Sequence, residues 1–232
     1  MHVPDGFIDG PTSLAAGLVA VGGVAIAVRR AGRVLDDRQV PLAGLVSAFV
    51  FAAQMVNFPV ATGTSGHLLG GVLAAVLVGP WLGSLCVAVV LAVQALLFAD
   101  GGLTALGLNV LNMGLVAPLG GVVLFVGLRR VLPSGQPGVV LSAGVAAGLA
   151  VVLASLAFTV EYAVGGSGGA SVVTVGAAMV GVHALIGVGE GVVTAMTVSA
   201  VLASRPDLVW GARHLVAAGP LPLAVDPGAV GP

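Results

Sequence analysis

The chain opens Met1-His2, and a free terminal amine followed by histidine is a chelator in its own right. The Met1 amine, the backbone nitrogen of His2 and the His2 imidazole close successive rings around one ion. A deprotonated amide nitrogen is a strong donor and suits square-planar coordination, the geometry preferred by Ni(II) and Cu(II). These three donors leave one equatorial position. Of the other histidines, His67, His183 and His214, the natural fourth donor is His67. It ends the glycine-bearing stretch Gly63-Thr64-Ser65-Gly66, whose backbone can approach an ion closely. His214 follows Arg213 among apolar residues and reads as part of a tail. The scheme requires the fold to bring Met1, His2 and His67 to one face.

Composition says what kind of fold that is. The 232 residues are 58% hydrophobic and 7% charged, and mean hydropathy is +1.16. Soluble domains carry about 25% charged residues, so an ordinary soluble enzyme is excluded. Disorder needs low hydrophobicity and high charge, the opposite pattern. A net charge of −1 without a basic cluster gives no footprint for nucleic acid. The single cysteine, Cys86, has no internal disulfide partner and sits in an apolar run as lipid-facing or core filler. No Walker A, His-Glu-x-x-His or Gly-x-Ser-x-Gly pattern occurs, so P-loop ATP hydrolysis and the common protease and hydrolase chemistries are absent from the sequence.

Residues 39–99 contain no Asp, Glu, Lys or Arg, and further uncharged runs cover 101–128, 131–160 and 162–189. A membrane-spanning helix needs about 20 mostly apolar residues. Glycine, proline and polar breaks divide the runs into about seven spans: 13–29, 41–58, 67–79, 81–99, 106–128, 139–161 and 174–203. The expected fold is therefore all-α, a polytopic membrane protein with about seven transmembrane helices. The third span is short, about 20 Å at 1.5 Å per residue. Either it starts earlier or the Ala61–Gly66 link dips into the membrane, which irregular backbone tolerates only against protein or a water-filled cavity.

All eight basic residues are arginine. Arg29, Arg30, Arg33 and Arg38 fall between spans one and two, Arg129 and Arg130 between five and six, and Arg205 and Arg213 after span seven. Seven crossings put all of these on one side, and the positive-inside rule makes that side the cytoplasm. The N-terminus, the 61–66 link, Asp100 and the 165–169 linker then face outward, together with Asp5 and Asp9. An outer N-terminus and a cytoplasmic C-terminus follow. No signal peptide is visible, and Met1 before the large His2 side chain is expected to be retained with a free amine. Two regions are expected: a transmembrane metal-binding domain over 1–204 and a cytoplasmic Pro/Gly-rich tail over 205–232.

Gln54, Asn57, Asn109, Asn112, His183 and Glu190 fall within the expected spans. Each either bonds between helices or shapes the metal cavity. Gln54, Asn57 and Ser65 are the residues assigned to orienting His67. Glu190, an ionisable group inside a span, is a functional hypothesis by default. It lies seven residues from His183, on the same helix face, so the two could pair with each other. Ala16, Ala20, Gly23 and Ala27 make a small-residue stripe in span one, and Ala48 and Ala52 repeat the spacing in span two. Such faces pack inside one chain or dock a membrane partner.

Several stretches together resemble one family. Met1-His2-Val3-Pro4-Asp5-Gly6-Phe7 is similar to the N-terminal signature of the CbiM/NikM proteins. These are the substrate-binding S components of cobalt and nickel energy-coupling factor (ECF) transporters. The stretches 51–60, from Phe51 to Val60, and 63–71, from Gly63 to Gly71, resemble that family's central block. So do 94–102, from Gln94 to Gly102, and 183–190, from His183 to Glu190. The resemblance covers residues 1 to about 203. It implies that the Met1 amine, the His2 backbone nitrogen and imidazole, and His67 hold the ion. It also implies partners: a T component (CbiQ/NikQ-like), ATPase subunits (CbiO/NikO-like) and a small accessory membrane subunit (CbiN/NikN-like).

The expected function is capture of Co2+ or Ni2+ at the outer face of a bacterial or archaeal cytoplasmic membrane. The ion is cargo, and no resident cofactor is expected. Uptake would be ATP-driven through partner chains and feed cobalamin synthesis or nickel enzymes, with the 61–66 loop closing over the ion. The alternative is a stand-alone metal-ion channel or ion-coupled carrier. That class usually needs charged residues along a path, for which only Glu190 and Glu161 are available. A third reading is an intramembrane metal-dependent enzyme with Glu190 as base and His183 as ligand.

Overall fold

The computed structural model describes residues 1–37, 39–61 and 64–217. Arg38, Thr62, Gly63, residues 218–232 and the side chains of residues 58–61, 64, 65, 216 and 217 lie outside the described residues. The sequence expectations for the 61–66 loop and for most of the tail fall there.

Helices occupy every window of uncharged sequence. They are α1 (Gly10–Ala31), α2 (Gln39–Gln54), α3 (Gly71–Val78), α4 (Pro80–Leu97), α5 (Leu106–Leu128), α6 (Gly135–Gly165) and α7 (Val172–Ser204). Among the described residues, α1, α4, α5, α6 and α7 are long and apolar enough to cross a membrane, whereas α2 has 16 residues. The eight residues of α3 rise about 12 Å. The outside of the bundle is apolar as well. Leu14, Leu18, Val21 and Ile26 on α1 and Leu185 and Val188 on α7 are all exposed, as expected where the solvent is lipid. This is a multi-pass membrane protein.

Two windows need correction. The second span was expected to run to 58, but α2 ends at Gln54, and Asn57 is exposed beyond it. Pro59 cannot donate to a helix and disfavours helical backbone in the residue before it. The chain instead forms β1 (Phe58–Ala61), antiparallel to β2 (Thr64–Gly66), with Phe58 opposite Gly66. The fold is thus helical, as expected, with one short hairpin between α2 and α3. The third span was expected from 67, but Gly70 takes a left-handed backbone at φ 71, so α3 starts only at Gly71. Residues 67–70 are left as non-helical chain inside the protein.

Local signals place the long helices. Asp9 caps α1 by accepting the Thr12 N–H at 2.9 Å, with Pro11 in the first turn. Ser171 does the same for α7 through the Thr174 N–H. In α5 the stretch Val110–Gly120 is wound as a π-helix around Pro118, which has no N–H to give to an α-helical ladder. All eight residues of α3 are buried, with α4, α5 and α6 around it. Glycine allows the closest approaches. A Cβ on Gly148 of α6 would lie 2.8 Å from the Gly187 carbonyl of α7, and one on Gly187 would lie 2.7 Å from the Gly148 carbonyl. The α1 stripe packs inside the chain: Ala16, Ala20 and Ala27 are buried and Gly23 abuts Leu115. Ala48 and Ala52 are exposed. Cys86 is buried, with its thiol 3.6 Å from the Ala43 carbonyl.

After α7, residues 206–208 and 210–212 make 3-10 turns and Arg213–Ala217 forms α8. Val209 and Ala212 are fully buried, and Gly211 lies against Phe125 and Val76. The segment just beyond 204 is therefore folded onto the bundle.

Candidate metal centre

The first nine residues are threaded into the bundle rather than left free. Asn109 on α5 clamps Val3, accepting its N–H at 2.8 Å and donating to its carbonyl at 3.4 Å. The Gly102 N–H adds a second bond to the Val3 carbonyl at 2.9 Å. Asp5 accepts both the N–H and the hydroxyl of Thr104. Phe7 packs on Tyr162 at 5.2 Å, and the Asp9 N–H bonds the Gly165 carbonyl at 2.7 Å. Gly101 and Gly102 make this docking fit. A Cβ on Gly101 would come within 3.0 Å of the His2 ring, and one on Gly102 within 2.4 Å of the Asp5 nitrogen.

The result is a buried terminus: Met1 is 1%, His2 4% and His67 1% exposed. The rings of His2 and His67 lie 4.6 Å apart, centre to centre. The Met1 amine is close enough for its charge to act on both imidazoles and on Asp100. Burial pulls the amine well below its ordinary value, opposed by Asp100. Burial also lowers the His2 imidazole to about 3, reinforced by the amine and opposed by the Gln94 hydrogen bond. Burial raises the Asp100 carboxyl, while the amine and Asn57 draw it down. Burial therefore disfavours the protonated forms of the amine and the His2 imidazole and favours the neutral nitrogens that bind metal.

The hydrogen bonds also leave the right lone pairs free. His2 Nε2 lies 3.2 Å from Gln94 Oε1, and in the tautomer in which this contact is a hydrogen bond that nitrogen carries the proton. His2 Nδ1 is then unprotonated. It lies 3.2 Å from Asp100 Oδ1, within ion-pair distance, but makes no aligned hydrogen bond among the described residues. Two electron-rich atoms facing each other without a hydrogen suit a cation beside them. His67 Nδ1 donates to the Leu68 carbonyl at 2.8 Å, leaving buried Nε2 without a partner among the described residues. Among the described residues no three His, Cys, Asp or Glu side chains form a metal cluster. The nitrogen set here has only two side-chain members, the rest being the terminal amine and a backbone nitrogen.

The other singled-out residues separate by place. Gln54 is buried on α2 and donates to the Leu69 carbonyl at 2.7 Å, holding the His67 segment rather than the imidazole. Asn57, expected within a span, is in the exposed turn after α2 and reaches Asp100 Oδ2 at 3.4 Å, so it acts through Asp100. Glu190 and His183 do not pair. Glu190 accepts the Leu69 and Gly70 N–H groups, and His183 Nδ1 donates to the Met179 carbonyl at 2.7 Å. His183 Nε2 is buried without a partner among the described residues. Asn112 joins α5 to α6 through Glu161 at 2.6 Å, a bond between helices. His214 lies 3.3 Å from Arg129, far from the other histidines along the bundle.

Sequence reading missed Gln94 and Asp100 as partners of His2, and Asn109 as the clamp on Val3. A usable signal existed: Gln94 and Asp100 bracket the end of α4, six residues apart. Nothing in one dimension tells which imidazole they face.

Fold and site together define a multi-pass helical membrane protein with a buried nitrogen-rich pocket at one end. The family model described as "Cobalt uptake substrate-specific transmembrane region" matches residues 2–208, and the chain belongs to this CbiM family. A Haloquadratum walsbyi protein named for metal transport is 40% identical over 213 residues, covering 90% of this chain and 94% of its own length. The cobalt transport protein CbiM of Sorangium cellulosum is 40% identical over 175 residues, 73% of this chain and 76% of that protein. The fused nickel transport protein NikMN of Rhodobacter capsulatus is 36% identical over 71% of this chain, but this chain spans only 47% of it. A crystal structure of a transition metal transporter superposes with a TM-score of 0.81 at 29% identity. It covers 88% of this chain and 93% of the other. The chain is therefore a membrane protein of a cobalt and nickel transport family.

Proposed function

We propose that this chain captures Co2+ or Ni2+ at the outer face of a bacterial or archaeal cytoplasmic membrane. The ligands are the Met1 amine, the His2 backbone nitrogen and Nδ1, and His67. The observation that carries this reading is the buried convergence of Met1, His2 and His67, with His2 Nδ1 and His67 Nε2 both lacking hydrogen-bond partners among the described residues. Buried polar atoms normally find partners, and unpaired ones in a native site call for a ligand. Gln94 holds the His2 tautomer, and the Asp100 carboxylate offsets the charge of an incoming cation.

In this reading the N-terminus faces outward, the arginine-bearing end faces the cytoplasm, and seven crossings connect them. Residues 1–204 form the metal-binding unit and the remainder a cytoplasmic tail. The chain acts as the S component of an ECF transporter, coupled to a T component and to ATPase subunits that hydrolyse ATP. The fused relative named NikMN supports an N-type small membrane subunit as a further partner. The nitrogen donors serve both ions, and the affinity order places nickel above cobalt.

The test is a titration of purified protein with Ni2+ and Co2+, using a native N-terminus and a C-terminal tag. A variant carrying one additional N-terminal residue is titrated beside it. Tight one-to-one binding, lost in the extended variant, is the expected result. Undiminished binding by the extended variant would remove the terminal chelate and return the carrier reading.

A further inference from the structure

The opposite end of the bundle holds a second built site. Where α5 ends, a cleft of about 510 Å3 is lined by Phe125, Val126, Arg129, Trp210, Gly211, Arg213 and His214. Its polar half consists of donors in fixed positions. Arg129 Nη1 donates to the Pro133 carbonyl at 3.0 Å and Nη2 lies 3.3 Å from His214 Nε2. Because a guanidinium only donates, that histidine nitrogen is the acceptor where this contact is a hydrogen bond. Arg129 Nε is buried without a partner among the described residues. The Arg213 guanidinium stacks on Trp210 at 4.7 Å. Among the described residues, no carboxylate lines this cleft. Asp36 and Asp207 line an adjoining pocket that shares Trp210 and Arg213 with it.

The other half is apolar and continues into the membrane-facing surface. Val126 and Val123, one turn earlier on α5, are both exposed. Both tryptophans of the chain lie at this end, Trp210 under Arg213 and Trp81 5.8 Å from Arg30. Tryptophan collects at the headgroup level of a bilayer. A basic pocket with an apolar wall at that level recognises an anionic headgroup and its chain together.

We propose that this cleft binds the phosphodiester headgroup of an anionic phospholipid between Arg129 and Arg213, with an acyl chain along Val126 and Val123. The headgroup phosphate accepts from both guanidiniums. The lipid thereby adds to the contacts that already join the end of α5 to the segment 210–214, Phe125 against Gly211 and Arg129 against His214.

The test is native mass spectrometry and thermal unfolding of the full chain, with added phosphatidylglycerol or phosphatidylcholine at equal amounts. Phosphatidylglycerol is expected to be retained about tenfold over phosphatidylcholine and to raise Tm. Arg129→Gln/Arg213→Gln is expected to lose the preference and, with it, the difference in Tm between phosphatidylglycerol and phosphatidylcholine. Arg213→Gln alone, altering one exposed side chain, keeps the test informative if the double variant fails to fold, and is expected to reduce the preference. Equal retention of both lipids, or an unchanged preference in the arginine variants, overturns the proposal. Inorganic phosphate giving the whole stabilisation overturns the lipid in favour of a free anion.

Discussion

Glu190 Oε1 accepts the Gly70 N–H at 2.6 Å, across 120 residues of sequence. Its other oxygen accepts the Leu69 N–H at 2.7 Å, and Gln54 takes the Leu69 carbonyl from the opposite side. Two distant helices thus hold the four non-helical residues that carry His67. The arrangement also satisfies donors that the start of α3 leaves without intrahelical partners. Glu190→Ala leaves two buried N–H groups unpaired, at about 1–3 kcal/mol each. Tm is expected to fall by several degrees and nickel affinity to weaken. Glu190→Gln keeps one acceptor and is expected to fall between. Thermal unfolding with parallel titrations checks the order, and three equal Tm values would contradict it.

His67→Ala and His183→Ala separate the terminal site from the helix interior. In the proposed site His67 supplies a donor, so its loss is expected to weaken nickel binding by more than about 100-fold, beyond the usual effect of an outer partner. His183→Ala is expected to change affinity by less than about tenfold, since its fixed hydrogen bond goes to Met179. Calorimetric titration of both reads the ranking. The reverse order would move the site to α7.

Gln94→Leu tests the tautomer. Without Gln94 Oε1, His2 Nε2 has lost its acceptor and the ring is free to place its proton on Nδ1. Affinity is expected to drop about 10–100-fold with the stoichiometry still one. A variant with unchanged affinity would show that the ring is held elsewhere.

Asp5 gives a pH signature of N-terminal docking. The Thr104 hydroxyl, and then its N–H, hold the Asp5 carboxyl below the ordinary range. A folded-state value below the unfolded one means that the contribution is present above the unfolded value of 3.8. It is lost as the pH falls through the lower folded value. Asp5 is exposed, so the effect is small. The Tm difference between wild type and Asp5→Asn is expected to be constant above about pH 5 and to close as the pH falls below about 4. A difference that persists at low pH would assign it to something other than the ionised carboxyl.

The extent of the helices was legible because lipid makes one demand everywhere: long uncharged apolar runs with every backbone group bonded internally. Uncharged windows, glycines and prolines marked most helix positions to within a few residues. The exceptions have local causes, Pro59 after α2 and left-handed Gly70 before α3. Met1, His2 and His67 could be named from one dimension, because an amine beside a histidine is a chelating unit before any folding occurs. What only the tertiary structure decided was pairing. Glu190 faces Leu69 and Gly70 rather than His183, Gln94 and Asp100 flank His2, and Asn57 works through Asp100. Periodicity places a side chain on one face of a helix. Which face of another helix it meets depends on crossings such as Gly148 on Gly187, where the absence of two side chains sets how closely the helices approach.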